Sequence, residues 1–475
     1  MLDLLLIGSH SLTDESGRIA NVVESCGMSA QEIKFVSSQD TRAATELIEH
    51  RTAMKGYRVE CLLHYDDERQ RLEALLGDGV RYLAMTTRYF RNLYEFCDII
   101  QHVRKVSPDT SIILGGGFFR SAWSKLESGE RRHLLELLQA DYYLCHDSCQ
   151  ELVRQIVEAD GDAQLLRGIP DLIWRGDGGY RMNTRVQMPP AETAPLAWEE
   201  SRELIFEITS LKTTVSCPFS CSFCAVKNKT DSYQTLPLGV IRENIERLMR
   251  LGRTKILHFT DETINLPRQR FLEFLNMLIE LQSGFSWYSF CRCEYIDAQT
   301  AALMKQSGCL AVLLGLESGN DGLLARMNKQ VNVERLLQTH RIYQQAGIAT
   351  IGFFIVGFPG ETEQSVEDTV RFIEECQPDF YRLHSWECEV GTPIWEQESP
   401  HGLSLKNGVW SHRTMNLHQA KDQMKRMQRQ ITHSVSIDKA DFSFALQLLH
   451  QGYSMDEVKG LYRRLNTACD ERAGV

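Results

Sequence analysis

From Leu2 to about Trp174, short apolar runs alternate with amphipathic stretches, the order of a βαβ sheet. Strands are expected over residues 2–7, 57–63, 82–85, 111–114 and 142–145. A helix is well marked over 93–106, with Phe96, Ile99, Ile100 and Val103 on one face. Together these predict a Rossmann-like α/β domain over residues 1–175. The alternation then stops: Gly176, Gly178, Gly179, Pro189, Pro190 and Pro195 accumulate, and 176–200 reads as a linker. A second alternation places strands at 212–216, 255–260, 287–292, 311–316, 350–356 and 381–386. Between them fall helical stretches at 238–251, 267–282, 298–307, 333–346 and 363–376. Six successive units predict a partial (β/α)6 TIM barrel over 201–398, its site at the carboxyl ends of the strands. Residues 399–475 turn irregular and then helical, and 442–450 with 455–465 predict a small C-terminal lid or cap.

At 475 residues the chain has room for two or three domains. Hydrophobic residues at 43% and charged residues at 24% are the balance of a globular protein, so disordered and fibrous classes drop out. A net charge of -11 argues against a nucleic-acid-coating surface. The apolar start, Met1 to Gly8, lacks a basic leader and reads as a first strand, and no apolar run is long enough to span a bilayer. The expected setting is the cytoplasm, without membrane or nucleic-acid partners. There the 14 cysteines are core residues, metal ligands or catalytic groups.

Three of them stand in Ser216-Cys217-Pro218-Phe219-Ser220-Cys221-Ser222-Phe223-Cys224. Thiolates at CxxxCxxC spacing can hold three irons of a cubane and leave the fourth open. An open iron can chelate the amino and carboxylate groups of S-adenosylmethionine (SAM), and a reduced cluster can pass one electron to the sulfonium. The alternatives are a zinc site completed by a distant histidine, or three core thiols. Zinc ribbons normally pair two CxxC units, and the chain has no such pair.

This loop resembles that of the radical SAM superfamily, and the resemblance runs over about 210–395. It implies a [4Fe-4S] cluster on Cys217, Cys221 and Cys224, an aromatic residue at Phe223, SAM as a second cofactor, and a flavodoxin- or ferredoxin-type electron donor. Phe259-Thr260-Asp261-Glu262 matches the position of the family's GGE-like motif, which makes Asp261 and Glu262 candidates for the methionine amino group, although the glycines are missing. Arg292 either faces the SAM carboxylate or pairs with Glu294. Gly315-Leu316-Glu317-Ser318 resembles the ribose motif, with Glu317 and Ser318 as hydroxyl partners. The stretch from Gly352 through Gly357-Phe358-Pro359-Gly360-Glu361 resembles the adenine motif, where Gly357 allows close approach.

An α/β domain ahead of the barrel resembles the cobalamin-binding branch of that superfamily. The DxHxxG motif of that domain is absent, so either cobalamin binds without a histidine ligand or the domain has lost it. Gly115-Gly116-Gly117 is a loop where backbone could approach a ligand, or a plain tight turn. The methylthiotransferase branch uses three N-terminal cysteines for a second cluster. Cys26, Cys61 and Cys97 are loosely spaced that way in surroundings that do not match, and core thiols are the default.

The last barrel strand and the residues after it, with Thr-Thr-Arg-Tyr-Phe at 86–90, resemble the branch of proteusin-type peptide epimerases and phosphinate P-methyltransferases. The resemblance implies a hydrogen-donor cysteine near the barrel end, and Cys388 matches it better than Cys291, Cys293, Cys309 or Cys376. A packed strand cysteine is the alternative. His384, Trp386, Trp395, Trp410 and His412 are candidates to line the substrate pocket, or to be core. The leading expectation is L-to-D epimerisation of residues in a ribosomally made peptide. Its rival is cobalamin-dependent methylation of carbon or phosphorus in a peptide or small molecule. A non-catalytic cluster- or cobalamin-binding regulator is the reading from another class.

Overall fold

The computed structural model describes residues 1–9, 38–86, 93–146, 149–176, 179–184, 194–226, 233–389, 392–396, 402–406 and 409–473. The chain divides into two compact units, one holding the amino-terminal strand with Gln39–Phe206 and the other Glu207–Val475.

The first unit is built on a sheet of β1 (Leu2–Ser9), β2 (Val59–His64), β3 (Val80–Thr86), β4 (Ser111–Gly115), β5 (Tyr142–Leu144), β6 (Leu172–Gly176) and β7 (Gly179–Met182). Its strand order is β2-β1-β3-β4-β5-β6-β7. β1 to β5 run parallel because helices cross between them, whereas β6 and β7 are antiparallel additions. The helix Leu93–Val106 buries Phe96, Ile99, Ile100 and Val103, as its periodicity requires. Residues 179–182, expected to lie in a linker, instead pair as β7 beside β6. Gly176 and Gly179 are paired across the two strands, and Gly179 takes φ of 123°, open to glycine alone among common residues.

The second unit carries β8 (Ile208–Leu211), the short antiparallel pair β9 (Thr214–Val215) and β10 (Gln234–Thr235), then β11 (Ile256–Phe259), β12 (Ser286–Cys291), β13 (Cys309–Glu317), β14 (Ala349–Val356) and β15 (Phe380–Ser385). A hairpin, β16 (Ser404–Lys406) with β17 (Val409–Ser411), and β18 (Val435–Ser436) complete the strands. The main sheet runs β18-β15-β14-β13-β12-β11-β8, every pairing parallel, an open barrel wall. Helices Leu238–Leu251, Arg268–Leu281, Ala298–Gln306, Val333–Gln345 and Glu363–Cys376 join the strands almost where the apolar period puts them. The first barrel strand ends at Leu211, before the expected 212–216, and all four of its residues are buried.

The C-terminal region is no lid. Helix Phe442–His450 is apolar on nearly every face and therefore buried. It packs with Val458, Leu461, Tyr462 and Leu465 against Ile208, Ile256, Tyr288, Leu313, Ile351 and Phe380. These include the first strand residues, so the helices plug the amino-terminal floor, opposite the carboxyl ends. β18 adds a seventh strand from the same region. No helix among the described residues is long and apolar enough to cross a membrane.

Candidate active site

The cysteine loop leaves the sheet at the carboxyl end of β8 and is fastened at both sides. At its entry Asp261, fully buried just past β11, accepts hydrogen bonds from Thr213 N (3.0 Å), Thr213 Oγ1 (3.1 Å) and Thr214 Oγ1 (2.5 Å). Burial raises its carboxyl to about 6 despite these donors. Further on, Ser222 donates from its N–H to Met327 O (2.9 Å) and from its hydroxyl to Arg326 O (2.8 Å). Asn328 Nδ2 reaches Ser220 O at 2.8 Å, and Ile394 N–H donates to Ser222 O at 3.0 Å.

So held, the loop presents Cys221 buried, with Cys217 and Cys224 half-buried. A turn closes from Cys224 N–H to Cys221 O, and Val226 N–H lies 3.5 Å from Cys224 Sγ. Burial raises the Cys217 thiol and pushes Cys224 up to about 11, and each is raised further by its neighbouring thiols. Iron would have to displace those protons. Among the described residues no three His, Cys, Asp or Glu side chains converge as ligands of a single ion do. A cubane asks each thiolate for a different iron, and three neighbouring thiols on one loop fit that demand.

The other candidates divide sharply. Asp261 is spent on the loop, whereas Glu262 is exposed, close enough to Cys217 and Cys224 to raise both thiols, and makes no hydrogen bond or ion pair with any described residue. Phe223 is half-buried between the second and third cysteines. Arg292 is buried and pairs with Glu294, Nε to Oε1 at 2.6 Å. Glu317 sits at a bulge of β13 with φ of 63° and receives Lys329 Nζ at 2.9 Å, both side chains buried. A Cβ at Gly315 would lie 2.5 Å from that carboxylate, so only glycine leaves room for the pair. Ser318, with no exposed surface, shares its hydroxyl with Thr369 Oγ1 (3.2 Å) and accepts from Asn320 N–H (3.1 Å). Here the side chain braces helix Glu363–Cys376.

Gly357 is the centre of a second knot. Its N–H donates to the buried Glu361, whose carboxyl burial raises to about 7, and its carbonyl meets His412 Nε2 at 2.9 Å. Trp410 stacks on His412 with ring centroids 5.3 Å apart, and Trp386 stands 5.2 Å from Trp410. Trp386, Trp410 and His412 are buried, so these three are core around Gly357 and not a pocket lining. Trp395 is half-buried and His384 exposed, the latter stacked on Phe353 at 5.9 Å. Cys388 is half-buried three residues beyond β15. The segment at 87–90 lies outside the described residues. Gly357 has φ of 91°, and a Cβ there would meet Trp410 at 2.5 Å and Ala420 at 2.8 Å. Gly357→Ala is expected to cost about 2–4 kcal/mol, from backbone strain plus overpacking, read as a lower denaturant midpoint of the second unit.

The Glu294 pairing is the alternative the sequence offered for Arg292, whereas Phe219 and Lys329 were not expected here. Phe219 lies under the Arg292 guanidinium at 3.9 Å, and Lys329 follows Asn328, which holds the left-handed φ of 51° that a turn asparagine tolerates. That asparagine, at a turn beside a lysine, was the only signal in the sequence.

In the first unit Cys61 is buried on β2 with its thiol pushed up to about 12, and Cys97 is half-buried against the core. Cys26 lies outside the described residues.

Comparison with known proteins agrees with this geometry. Residues 211–373 match the Radical SAM superfamily. An uncharacterized methyltransferase of Pyrococcus horikoshii is 23% identical over 53% of this chain and 57% of its own length. A ribosomal protein uS12 methylthiotransferase, RimO, of Desulforamulus reducens is 23% identical over 75% of this chain and 84% of its own. The chain spans 30–57% of the length of the first four curated relatives it matches. Among solved structures, the radical SAM methyltransferase TsrM of Kitasatospora setae, with cobalamin and a [4Fe-4S] cluster bound, superposes with a TM-score of 0.69 at 16% identity, covering 100% of both chains. The second unit thus carries a radical SAM domain at 211–373, a domain that implies a [4Fe-4S] cluster and SAM.

Proposed function

We propose that the chain is a radical SAM methyltransferase that works with a corrinoid held by its first unit. The observation that carries this reading is likeness over the whole chain, both units included, to a fold that TsrM uses with cobalamin and a cluster. The relative from P. horikoshii is a methyltransferase as well. The first unit supports it with a small cleft at the carboxyl ends of β1, β3, β4 and β5, the edge where open α/β sheets bind ligands. Glu46, His50, Gly115, Gly116, Leu144 and Cys149 are among its lining residues, and Gly116, with φ of 110°, opens the helix Gly117–Lys125. A glycine turn opening a helix at that edge is where a nucleotide-like tail would approach the backbone.

When bound, the cluster would supply single electrons and the corrinoid a methyl carrier. Cys217, Cys221 and Cys224 would hold the cluster, and Phe223 would shield it. Glu262 is the carboxylate left to receive the SAM ammonium, while Asp261 fixes the loop. Glu317, with one oxygen on Lys329, keeps the other for a ribose hydroxyl. The backbone around Gly357 would lie against the adenine, and His384 and Trp395 are the aromatics left to meet substrate. A ferredoxin- or flavodoxin-type donor would deliver the electrons. A cytoplasmic setting suits an oxygen-sensitive cluster held by thiolates.

Cys388 supports a second reading, L-to-D epimerisation of residues in a ribosomally made peptide. A hydrogen atom would pass from Cα to the 5'-deoxyadenosyl radical of reductive SAM cleavage, the S–H of Cys388 would return one from the opposite face, and the thiyl left behind would be restored by one electron from the external donor and one proton. The proteins named above transfer methyl or methylthio groups, which ranks this reading second. Anaerobic reconstitution with hydroxocobalamin, followed by desalting, separates the two. Stoichiometric corrin retention with S-adenosylhomocysteine as product is the expected result. No retention, with 5'-deoxyadenosine formed and solvent deuterium entering peptide in a manner that Cys388→Ala abolishes, would establish epimerisation instead.

A further inference from the structure

The Arg292 guanidinium is committed on every side. Its Nε and Nη2 edge meets Glu294, Nη2 also donates to Lys329 O, and its face lies 3.9 Å over the Phe219 ring. Its backbone is bracketed by Asn265, which accepts from Arg292 N–H at 3.0 Å and donates to Arg292 O at 2.8 Å. The remaining edge, Nη1, points at Cys221 Sγ from 3.5 Å. A bidentate grip on a carboxylate ligand uses two parallel N–H groups, and here the Nε/Nη2 pair is already taken.

We infer that Arg292 is a positioning residue that tunes the cluster: its Nη1–H donates to the Cys221 sulfur and raises the reduction potential of the cluster that this thiolate holds. The inference rests on the cluster assignment to Cys217, Cys221 and Cys224. The physical reason is charge. Reduction adds one negative charge to a cluster already carrying thiolates, and a buried N–H donor on a cation stabilises the more negative state more. Glu294 offsets part of that cation, but it sits on the opposite edge of the fork, so the N–H dipole facing sulfur keeps its sign. Stacking on Phe219, itself a residue of the loop, fixes the donor and the ligand in one unit.

The test uses the reconstituted full chain without SAM, its potential followed by electron paramagnetic resonance. Arg292→Met is expected to shift the one-electron reduction equilibrium at least tenfold toward the oxidised cluster, about 59 mV lower. Arg292→Lys, which keeps a cation, should restore part of the shift. SAM affinity, measured by equilibrium binding, should change less than about threefold, since the fork is not available to SAM. An unchanged potential combined with a tenfold or greater loss of SAM affinity would overturn the inference and make Arg292 a SAM ligand. Should the variants fail to assemble a cluster, the wild-type protein decides. With arginine labelled by ¹⁵N, hyperfine coupling to the reduced cluster is expected, and its absence rejects the N–H···S bond. A wild-type chain that forms no [4Fe-4S] cluster under reconstitution would instead overturn the cluster assignment, and the inference with it.

Discussion

Cys221→Ala is expected to leave the reconstituted protein with iron retention weakened about a hundredfold or more, and with no SAM cleavage under reductant. The reason lies in the loop as much as in the lost ligand. Cys221 is the buried member of the three, the acceptor of the Cys224 N–H turn through its carbonyl, and the sulfur nearest Arg292. Alanine keeps the carbonyl, so the turn survives and Cys217 and Cys224 stay where they are. Two thiolates can still collect a zinc ion. They cannot fix a cubane with one open iron. Iron and sulfide content after anaerobic desalting, with the visible spectrum, reads the result. Full iron retention in the variant would mean that another residue is the third ligand.

Lys329→Met is expected to destabilise the second unit by about 3–5 kcal/mol, because it strands the buried Glu317 carboxylate without its cation. The double variant Glu317→Gln/Lys329→Met should recover most of that loss, since the cost comes from an unpaired charge and not from the missing pair. Hydrogen exchange at β13 and at residues 327–330 would localise the effect. Equal losses in the single and double variants would show that the pair contributes through packing alone.

Much of this architecture was legible because the period of apolar residues is a direct imprint of burial. Helix Leu93–Val106 and the five barrel helices emerge where one face must meet the sheet. What escaped has physical reasons. β18 is two residues long, and its identity as a strand depends on Phe380 and Tyr381 beside it. The hairpin at Gly176 looked like a linker because turn glycines and linker glycines are the same residue. In the site, the cysteine spacing carries its chemistry in one dimension, so it could be read directly. Asp261 and Ser318 could not, since a carboxylate that grips a ligand and one that grips its own loop are identical in sequence. The aromatic residues Trp386, Trp410 and His412 posed the same ambiguity, and only the close approach at Gly357 shows that they fill space.

The plug beneath the barrel bears on how the second unit acquires its shape. Ile208 and Ile256 find their cover in Phe442–Leu465, more than half of the unit away along the chain. Helix-by-helix growth from one end would leave that apolar floor facing water at every intermediate stage. Folding of this unit is therefore governed by a few non-local encounters, the regime of slow, high-contact-order chains that aggregate when their partners are delayed. Fragments that stop after the sixth barrel strand would carry the whole cysteine loop and yet be poor material for studying it.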